Sequence, residues 1–188
     1  MKIRLLSGSI VGTKTLTAMK FLYQKIKNEY PDEDVQLLDL KSLNIDFSDG
    51  RNYLDYAGDT QFLTTELMAA DMIIIGSPIF QASIPAPLKN VFDLLPQNAF
   101  QNKIIGVVIT AGSPKHFLVA ETQLKPIINY MKGYMLPNYV FIEDVDFSQS
   151  AIINDDILFR IDRLIEDIFL FAKTYHHIWQ EKEDSYGF

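Results

Sequence analysis

The sequence predicts an α/β fold in which a five-stranded parallel sheet of order 2-1-3-4-5 is doubly wound, with helices on both faces. Three observations predict it. Short apolar runs alternate with amphipathic helical stretches along the 188 residues. The run at residues 72–75, Met-Ile-Ile-Ile, has no polar alternation, which is typical of a strand covered on both faces. No repeat, linker or low-complexity tract interrupts the pattern, so residues 1–188 are expected to form a single domain.

Five apolar runs, rich in Ile, Val and Leu, predict the strands of this sheet. They lie at residues 3–6, 35–40, 72–75, 104–110 and 139–142. The polar segment 44–59, rich in Asp, Gly and Tyr, is expected to be a loop.

Helices are predicted where apolar side chains recur near the 3.6-residue period. They lie at residues 14–28, 60–70, 85–95, 116–132 and 155–180. Pro31 ends the first helix, whereas Pro85 is tolerated in a first turn, where its missing N–H has no intrahelical partner. Within the fourth helix, Glu121 and Lys125 have the i,i+4 spacing of an ion pair, and Pro126 is expected to introduce a kink.

Composition excludes several classes of function. The net charge is −7 and no Lys/Arg run is present, so nucleic acid is not an expected partner. The absence of cysteine excludes disulfides, zinc–thiolate sites and thiol nucleophiles, and it suits a reducing compartment. Neither a signal peptide nor an apolar segment of about 18 residues is found, so we expect no membrane span and a cytoplasmic protein.

A sheet of order 2-1-3-4-5 binds ligands in the crevice beyond the carboxyl ends of strands 1 and 3. The loop after strand 1 is SGSIVGTKT, residues 7–15. Free N–H groups at a helix start, together with the hydroxyls of Ser9, Thr13 and Thr15 and the charge of Lys14, suit a phosphate. The loop matches neither the Walker pattern nor GxGxxG. The alternative is an ordinary strand-to-helix turn with Thr13 as its N-cap.

The loops after strands 3 and 4 suit a flat ring. The second loop is stiffened by prolines, and its backbone N–H groups near residues 79–82 and its apolar body could hold a heteroaromatic ring system. Its candidate residues are Pro78, Ile79, Phe80, Gln81 and Ala82. The third loop contributes Ala111, Gly112 and Ser113, with a glycine that permits close approach of a ligand. Alternatively, Phe80 packs on its own helix or on another subunit. Together the three loops favour a flavin carrying a ribityl phosphate.

The motifs that carry a family resemblance lie in these same loops. They are GS…TKT after strand 1, GSPIFQASIPAPLKNVFDLLP after strand 3 and TAGSPKHFLVAETQLKP after strand 4. In these motifs the chain resembles the NADPH-dependent FMN reductases of flavodoxin-like fold. The stretch LLPQNAFQNKII is similar to the alkanesulfonate-monooxygenase type of this family. The resemblance covers roughly residues 1–145.

The resemblance implies FMN and NADPH as cofactors. The FMN phosphate would lie at Ser9, Thr13, Lys14 and Thr15, with the ring against residues 78–82 and residues 111–113. Lys14 stands where arginine is frequent in the family. The family transfers hydride from NADPH to FMN and then passes electrons to a flavin, quinone, azo compound or oxygen, in some members with a flavin-dependent monooxygenase as partner. It implies a homodimer or homotetramer, no catalytic acid–base side chain and no metal.

Two other functions remain open from the residues. A flavodoxin-type FMN electron carrier would lack NADPH oxidation and show an acidic ring around the flavin. Here the acidic residues are spread over residues 32–34, residues 143–146 and the C-terminal tail, which favours the enzyme. The second alternative is a structural or regulatory module without flavin. Asp93 and Asp144 have no evident partner that they would activate.

Overall fold

The central sheet contains six parallel strands in the computed structural model, which describes residues 1–185. Strand β1 is the second in spatial order and pairs with both β2 and β3, and β3 pairs with β4, so the predicted order 2-1-3-4-5 is confirmed. The strands are β1 Lys2–Ser7, β2 Asp34–Asp39, β3 Met72–Pro78, β4 Ile104–Ala111, β5 Tyr134–Met135 and β6 Val140–Glu143.

The fifth position of the sheet is shared by two short strands, which corrects the single strand predicted at residues 139–142. Strand β5 pairs with the start of β4, and β6 pairs with its end. The N–H of Leu136 still donates to the carbonyl of Ile105 at 2.9 Å. Pro137 follows, and because it has no N–H to donate, the ladder stops there and resumes at Val140.

Helices cover both faces of the sheet. They are α1 Lys14–Glu29, α2 Gly58–Ala69, α3 Ala86–Leu94, α4 Lys125–Tyr130 and α5 Asp155–Ser185. One core cluster joins the sheet to α1 and α5, and the other joins it to α2, α3 and α4. Side chains of β3 alternate between the two clusters, Ile73 and Ile75 on one side and Met72 and Ile74 on the other. All seven residues of β3 are buried, as the unbroken apolar run predicts.

The helix predicted at residues 116–132 is present but irregular, and the disturbance expected at Pro126 lies in the turn before it. A 3₁₀ turn covers Pro114–His116, a wide π-helical turn covers Ala120–Leu124, and only Lys125–Tyr130 is α-helical. Pro126 lacks the N–H that would donate to the carbonyl four residues earlier, so the turn before it widens instead. The predicted ion pair is present, with 2.7 Å between Lys125 Nζ and Glu121 Oε2.

None of the helices within residues 1–185 combines the length and the hydropathy needed to cross a membrane.

Lys103 closes the carboxyl end of α2. Its side chain is buried, and its ammonium group donates to the carbonyls of Leu67, Met68 and Ala70, at 3.0 Å for Leu67 and 2.8 Å for Ala70. These are carbonyls that a helix end leaves without intrahelical partners. Burial lowers the pKa of Lys103 to about 8.

We expect Lys103→Met to lower the free energy of unfolding by about 2–4 kcal/mol, because it leaves buried carbonyls without donors while it preserves the aliphatic stem. Urea unfolding followed by circular dichroism measures the change. Lys125→Met removes a partly exposed ion pair at the surface and serves as the control, with an expected loss below about 1 kcal/mol. Equal stability of the two variants would contradict the role given to Lys103.

Candidate functional site

The loops that follow β1, β3 and β4 meet at the carboxyl edge of the sheet. The N–H of Gly8 donates to the carbonyl of Gly76 at 2.8 Å, so the first two loops leave the sheet side by side. Between the three loops lies a cavity of about 410 Å³, within the size range of small-molecule sites. It is lined by Val11, Gly12, Thr13, Lys14, Thr15, Pro78, Ile79, Phe80, Thr110, Ala111, Gly112 and Asp144.

Eight of the twelve predicted site residues line this cavity, namely Thr13, Lys14, Thr15, Pro78, Ile79, Phe80, Ala111 and Gly112. The other four lie beside it in the same three loops. Ser9 is buried, and its hydroxyl donates to the carbonyl of Val11 at 2.6 Å. Gln81 and Ala82 form the tip of the second loop. Ser113 belongs to the loop after β4 and has an extended backbone.

The first loop presents unpaired donors to the cavity. The N–H of Thr17 donates to the carbonyl of Thr13, so the N–H groups of the preceding helical residues have no carbonyl within the helix to bind. Thr13 makes no side-chain capping bond, which removes the main support for the ordinary-turn alternative. Gly12 has φ +74°, a left-handed conformation that turns the loop into α1. Donors with this arrangement suit a phosphate.

The base of the cavity is tied together by two hydroxyls. Thr15 Oγ1 and Thr110 Oγ1 are 2.7 Å apart in a buried hydrogen bond that joins the start of α1 to the end of β4. The first loop is therefore held at a set distance from the third loop.

The second loop is a tight, strained turn. Phe80 and Ser83 exchange two backbone hydrogen bonds of 3.0 Å, and between them Gln81 and Ala82 have φ of 50° and 59°. Left-handed backbone costs a residue other than glycine about 1–2 kcal/mol. The N–H of Ile79 donates to the carbonyl of Thr110 at 3.2 Å. Two of the N–H groups expected to face a ring are thus engaged within the protein, and those of Gln81 and Ala82 remain as candidates.

Gln123 holds the strained turn through two hydrogen bonds of its side chain. Its amide Nε2 donates to the carbonyl of Ala82 at 3.2 Å, and its Oε1 accepts from the hydroxyl of Ser83. Gln123 belongs to the wide π-helical turn, which carries it toward the second loop. Sequence reasoning missed this residue, because its role arises from contacts across about 40 positions of the chain.

We expect Gln123→Ala to weaken FMN binding about tenfold, because the turn loses two hydrogen bonds of about 1 kcal/mol each and relaxes. Titration of FMN fluorescence measures the dissociation constant. Thr122→Ala is the control, since the hydroxyl of Thr122 bonds only within its own turn, to the carbonyl of Leu118. A Gln123→Ala dissociation constant within twofold of the parent would contradict this role.

Four lining residues were not assigned from the sequence, namely Val11, Gly12, Thr110 and Asp144, and Asp144 is the charged one among them. Its Oδ1 lies 2.8 Å from Lys14 Nζ, so Asp144 forms an ion pair with a residue of the first loop. It follows β6 at the same edge of the sheet as the three loops, and that position is the only sequence signal that could have found it. Asp93 is also paired, with 2.5 Å between its Oδ1 and Lys89 Nζ on α3.

The residues of the cavity fit FMN. One end carries helix-start N–H groups, hydroxyls and the ammonium of Lys14, which suit a phosphate. The other end carries Pro78, Ile79, Phe80 and the Ala111–Gly112 backbone, a flat and largely apolar wall. Within residues 1–185, no group of three or more His, Cys, Asp or Glu side chains is arranged to hold a metal ion. This fold and this site define the class of flavin-nucleotide proteins with a flavodoxin-like sheet.

Comparisons with known proteins identify the family. The family model described as NADPH-dependent FMN reductase matches residues 1–146, and the chain belongs to this family. An NAD(P)H-dependent FAD/FMN reductase of Geobacillus thermodenitrificans is 36% identical over 169 residues, covering 89% of this chain and 91% of that protein. An FMN-dependent NADPH-azoreductase of Staphylococcus saprophyticus is 28% identical and covers 95% of this chain and 100% of its own.

A solved structure supports the fold. The apo form of an NADH:FMN oxidoreductase, EMOB, superposes with a TM-score of 0.75 at 23% identity, covering 90% of this chain and 88% of that chain. Family membership confirms the predicted NAD(P)H:FMN oxidoreductase, with FMN and NAD(P)H as its cofactors. The family does not match the alternative of an electron carrier.

Proposed function

We propose that this chain binds FMN in the cavity between its three loops and uses NADPH to reduce it. The observation that carries the proposal is the convergence of eight predicted residues on one cavity with a cationic end and a flat apolar wall. When bound, FMN supplies the redox chemistry by accepting hydride from NADPH and passing two electrons to an acceptor.

Each wall of the cavity has its own task in this proposal. Thr13, Lys14 and Thr15 hold the phosphate through N–H groups, hydroxyls and one positive charge, and Ser9 shapes the loop from behind. The ring lies against Pro78, Ile79 and Phe80, with Ala111 and Gly112 at its other side. The ring is bordered by Gln81 and Ala82 of the second loop and by Ser113 of the third loop.

The protein contributes position and electrostatics to hydride transfer. Phe80 is 42% exposed, so the cavity opens to solvent at this residue, and we propose that nicotinamide approaches a bound ring from there. The N–H groups of Gln81 and Ala82 are the donors aimed at charge that develops on the ring. Side chains with an acid–base task are not required for this step.

The electron acceptor is a small molecule in this proposal, and we expect a flavin, quinone or azo compound, or oxygen. The similarity to an azoreductase over almost the whole chain supports an azo compound among them. A flavin-dependent monooxygenase that takes up reduced flavin is a further partner. We prefer NADPH over NADH because the family model carries that cofactor in its description.

We propose one domain over residues 1–188, a cytoplasmic location and a homodimer or homotetramer. The lack of cysteine suits a reducing compartment. Exposed apolar side chains on α5, among them Phe159, Leu170 and Phe171, support self-association.

The proposal is tested by adding FMN to the purified protein and following the oxidation of NADPH at 340 nm. We expect NADPH consumption by the protein alone to be slow and to rise with added FMN until it saturates. Bound FMN without NADPH oxidation would instead support the flavodoxin-type carrier. Failure to bind FMN at high micromolar concentration would contradict both functions.

A further inference from the structure

A carboxylate stands at the phosphate end of the cavity, where an anionic ligand meets it. Asp144 and Lys14 both line the cavity, and their charged groups are 2.8 Å apart. The second oxygen of Asp144 faces the third loop, since a Cβ added at Gly112 would lie 3.8 Å from Asp144 Oδ2. The negative charge is therefore directed toward the cavity rather than away from it.

The turn that carries Asp144 is held in place by its neighbour Asp146. Asp146 is buried, and its carboxylate accepts the N–H of Glu143 at 2.8 Å and the side-chain amide of Asn154 at 2.6 Å. Its carbonyl accepts the N–H of Ile153 at 2.8 Å. Because backbone on both sides of Asp144 is fixed, a ligand does not displace the carboxylate by moving the turn.

Lys14 has a second support that does not depend on Asp144. Its Nζ lies over the ring of Phe147, 5.9 Å from the ring centroid. The side chains of Lys14 and Asp144 are 39% and 51% exposed, so solvent weakens the attraction between them. A phosphate dianion can therefore replace Asp144 as the partner of Lys14. The carboxylate of Asp144 is then unpaired beside the phosphate, and the two negative charges repel each other.

We propose that Asp144 is a specificity-determining residue that weakens the grip on the flavin phosphate and so makes FMN an exchangeable ligand. The inference rests on the proposed function, because it assumes FMN with its phosphate at the first loop. Asp144 competes with the phosphate for Lys14, and this competition lowers the affinity of the protein for FMN. The affinity for a flavin without a phosphate is unaffected. Release of FMN is faster than it would be with Lys14 free.

The test replaces Asp144 with its isosteric amide. For Asp144→Asn we expect FMN to bind about tenfold more tightly and to dissociate correspondingly more slowly, since a like charge is removed and Lys14 is freed. Riboflavin, which lacks the phosphate, is expected to bind within twofold of the parent. Fluorescence titration at low and high salt gives both affinities, and the parent and variant are expected to converge for FMN at high salt.

Asp93→Asn is the matched control, because Asp93 and Lys89 form an exposed ion pair of the same kind on α3. It is expected to leave both affinities unchanged. An Asp144→Asn variant that binds FMN no better than the parent, or less well, would show that Asp144 only positions Lys14, and it would overturn the inference while the proposed function stands. Equal tightening for FMN and riboflavin would overturn it as well. A parent protein that binds neither flavin would defeat the proposed function itself.

Discussion

Gly8→Ala is expected to remove most of the FMN reduction by this protein. An added Cβ at Gly8 would lie 2.8 Å from the carbonyl oxygen of Gly76 and 3.0 Å from Leu88 Cδ2. The first contact is with backbone of a central strand that also accepts the N–H of Gly8, so neither partner has room to yield. To make room for the added methyl group, the first and second loops must move apart at the point where the cavity begins.

The size of this effect follows from the sensitivity of reacting groups to position. A misplacement of about 1 Å costs roughly 100-fold in rate, and we expect a fall of that order in kcat/KM for FMN. The free energy of unfolding is expected to fall by about 1–3 kcal/mol, as for other overpacked sites. Steady-state oxidation of NADPH and urea unfolding measure the two effects.

Ser7→Ala is a suitable control for Gly8→Ala. Ser7 is the preceding residue and is fully buried, and its hydroxyl has no hydrogen-bond partner within the described part of the chain. Ser7→Ala removes the hydroxyl oxygen and adds no atom to the junction, so we expect the activity of the parent protein. Full activity of Gly8→Ala would mean that the two loops tolerate separation, which contradicts the close junction as a requirement of the site.

Lys14→Met is expected to weaken FMN binding about 30-fold, since a hydrogen bond to a charged group contributes about 1.5–3 kcal/mol. Lys14 is the cation among the residues that line the cavity within residues 1–185. Its removal also leaves the carboxylate of Asp144 without its 2.8 Å partner, facing the incoming dianion. Methionine keeps the length of the unbranched stem, but it removes the ammonium group that lies over the ring of Phe147.

Riboflavin distinguishes loss of charge from loss of structure in this variant. We expect its affinity for Lys14→Met to stay within twofold of the parent, because no phosphate is present to lose its partner. Lys89→Met, which removes the cation of the Asp93 pair on α3, is expected to change neither affinity. Equal loss of FMN and riboflavin binding would show that Lys14 supports the loop rather than the phosphate.

The fold could be predicted because the central strands β3 and β4 are long enough to leave a clear pattern of apolar residues in the sequence. β3 and β4 are buried along their entire length, and burial on both faces leaves an unbroken apolar run in the sequence. Once the order of strands is known, the loops that meet at the crevice follow from the topology. For this reason most of the cavity lining could be predicted from residues 7–15, 77–83 and 111–113.

The features that escaped prediction depend on contacts between distant residues. Asp144 and Lys14 are far apart in the sequence, and only the position of Asp144 directly after β6 could have marked it as a cavity residue. Gln123 reaches the second loop only because a π-helical turn replaces the expected α-helix before Pro126. The division of the fifth sheet position into β5 and β6 at Pro137 was also missed. Both strands are short and pair separately with β4, so the sequence pattern does not distinguish them from a single strand.

The central claim is that the three loops form one slot for FMN, and a crystal structure of the protein with FMN tests it most directly. We predict the phosphate at the N–H groups and side chains of residues 12–15, with the ring between residues 78–80 and 111–112. FMN bound elsewhere, or bound in the slot with its phosphate away from Lys14, would contradict the account.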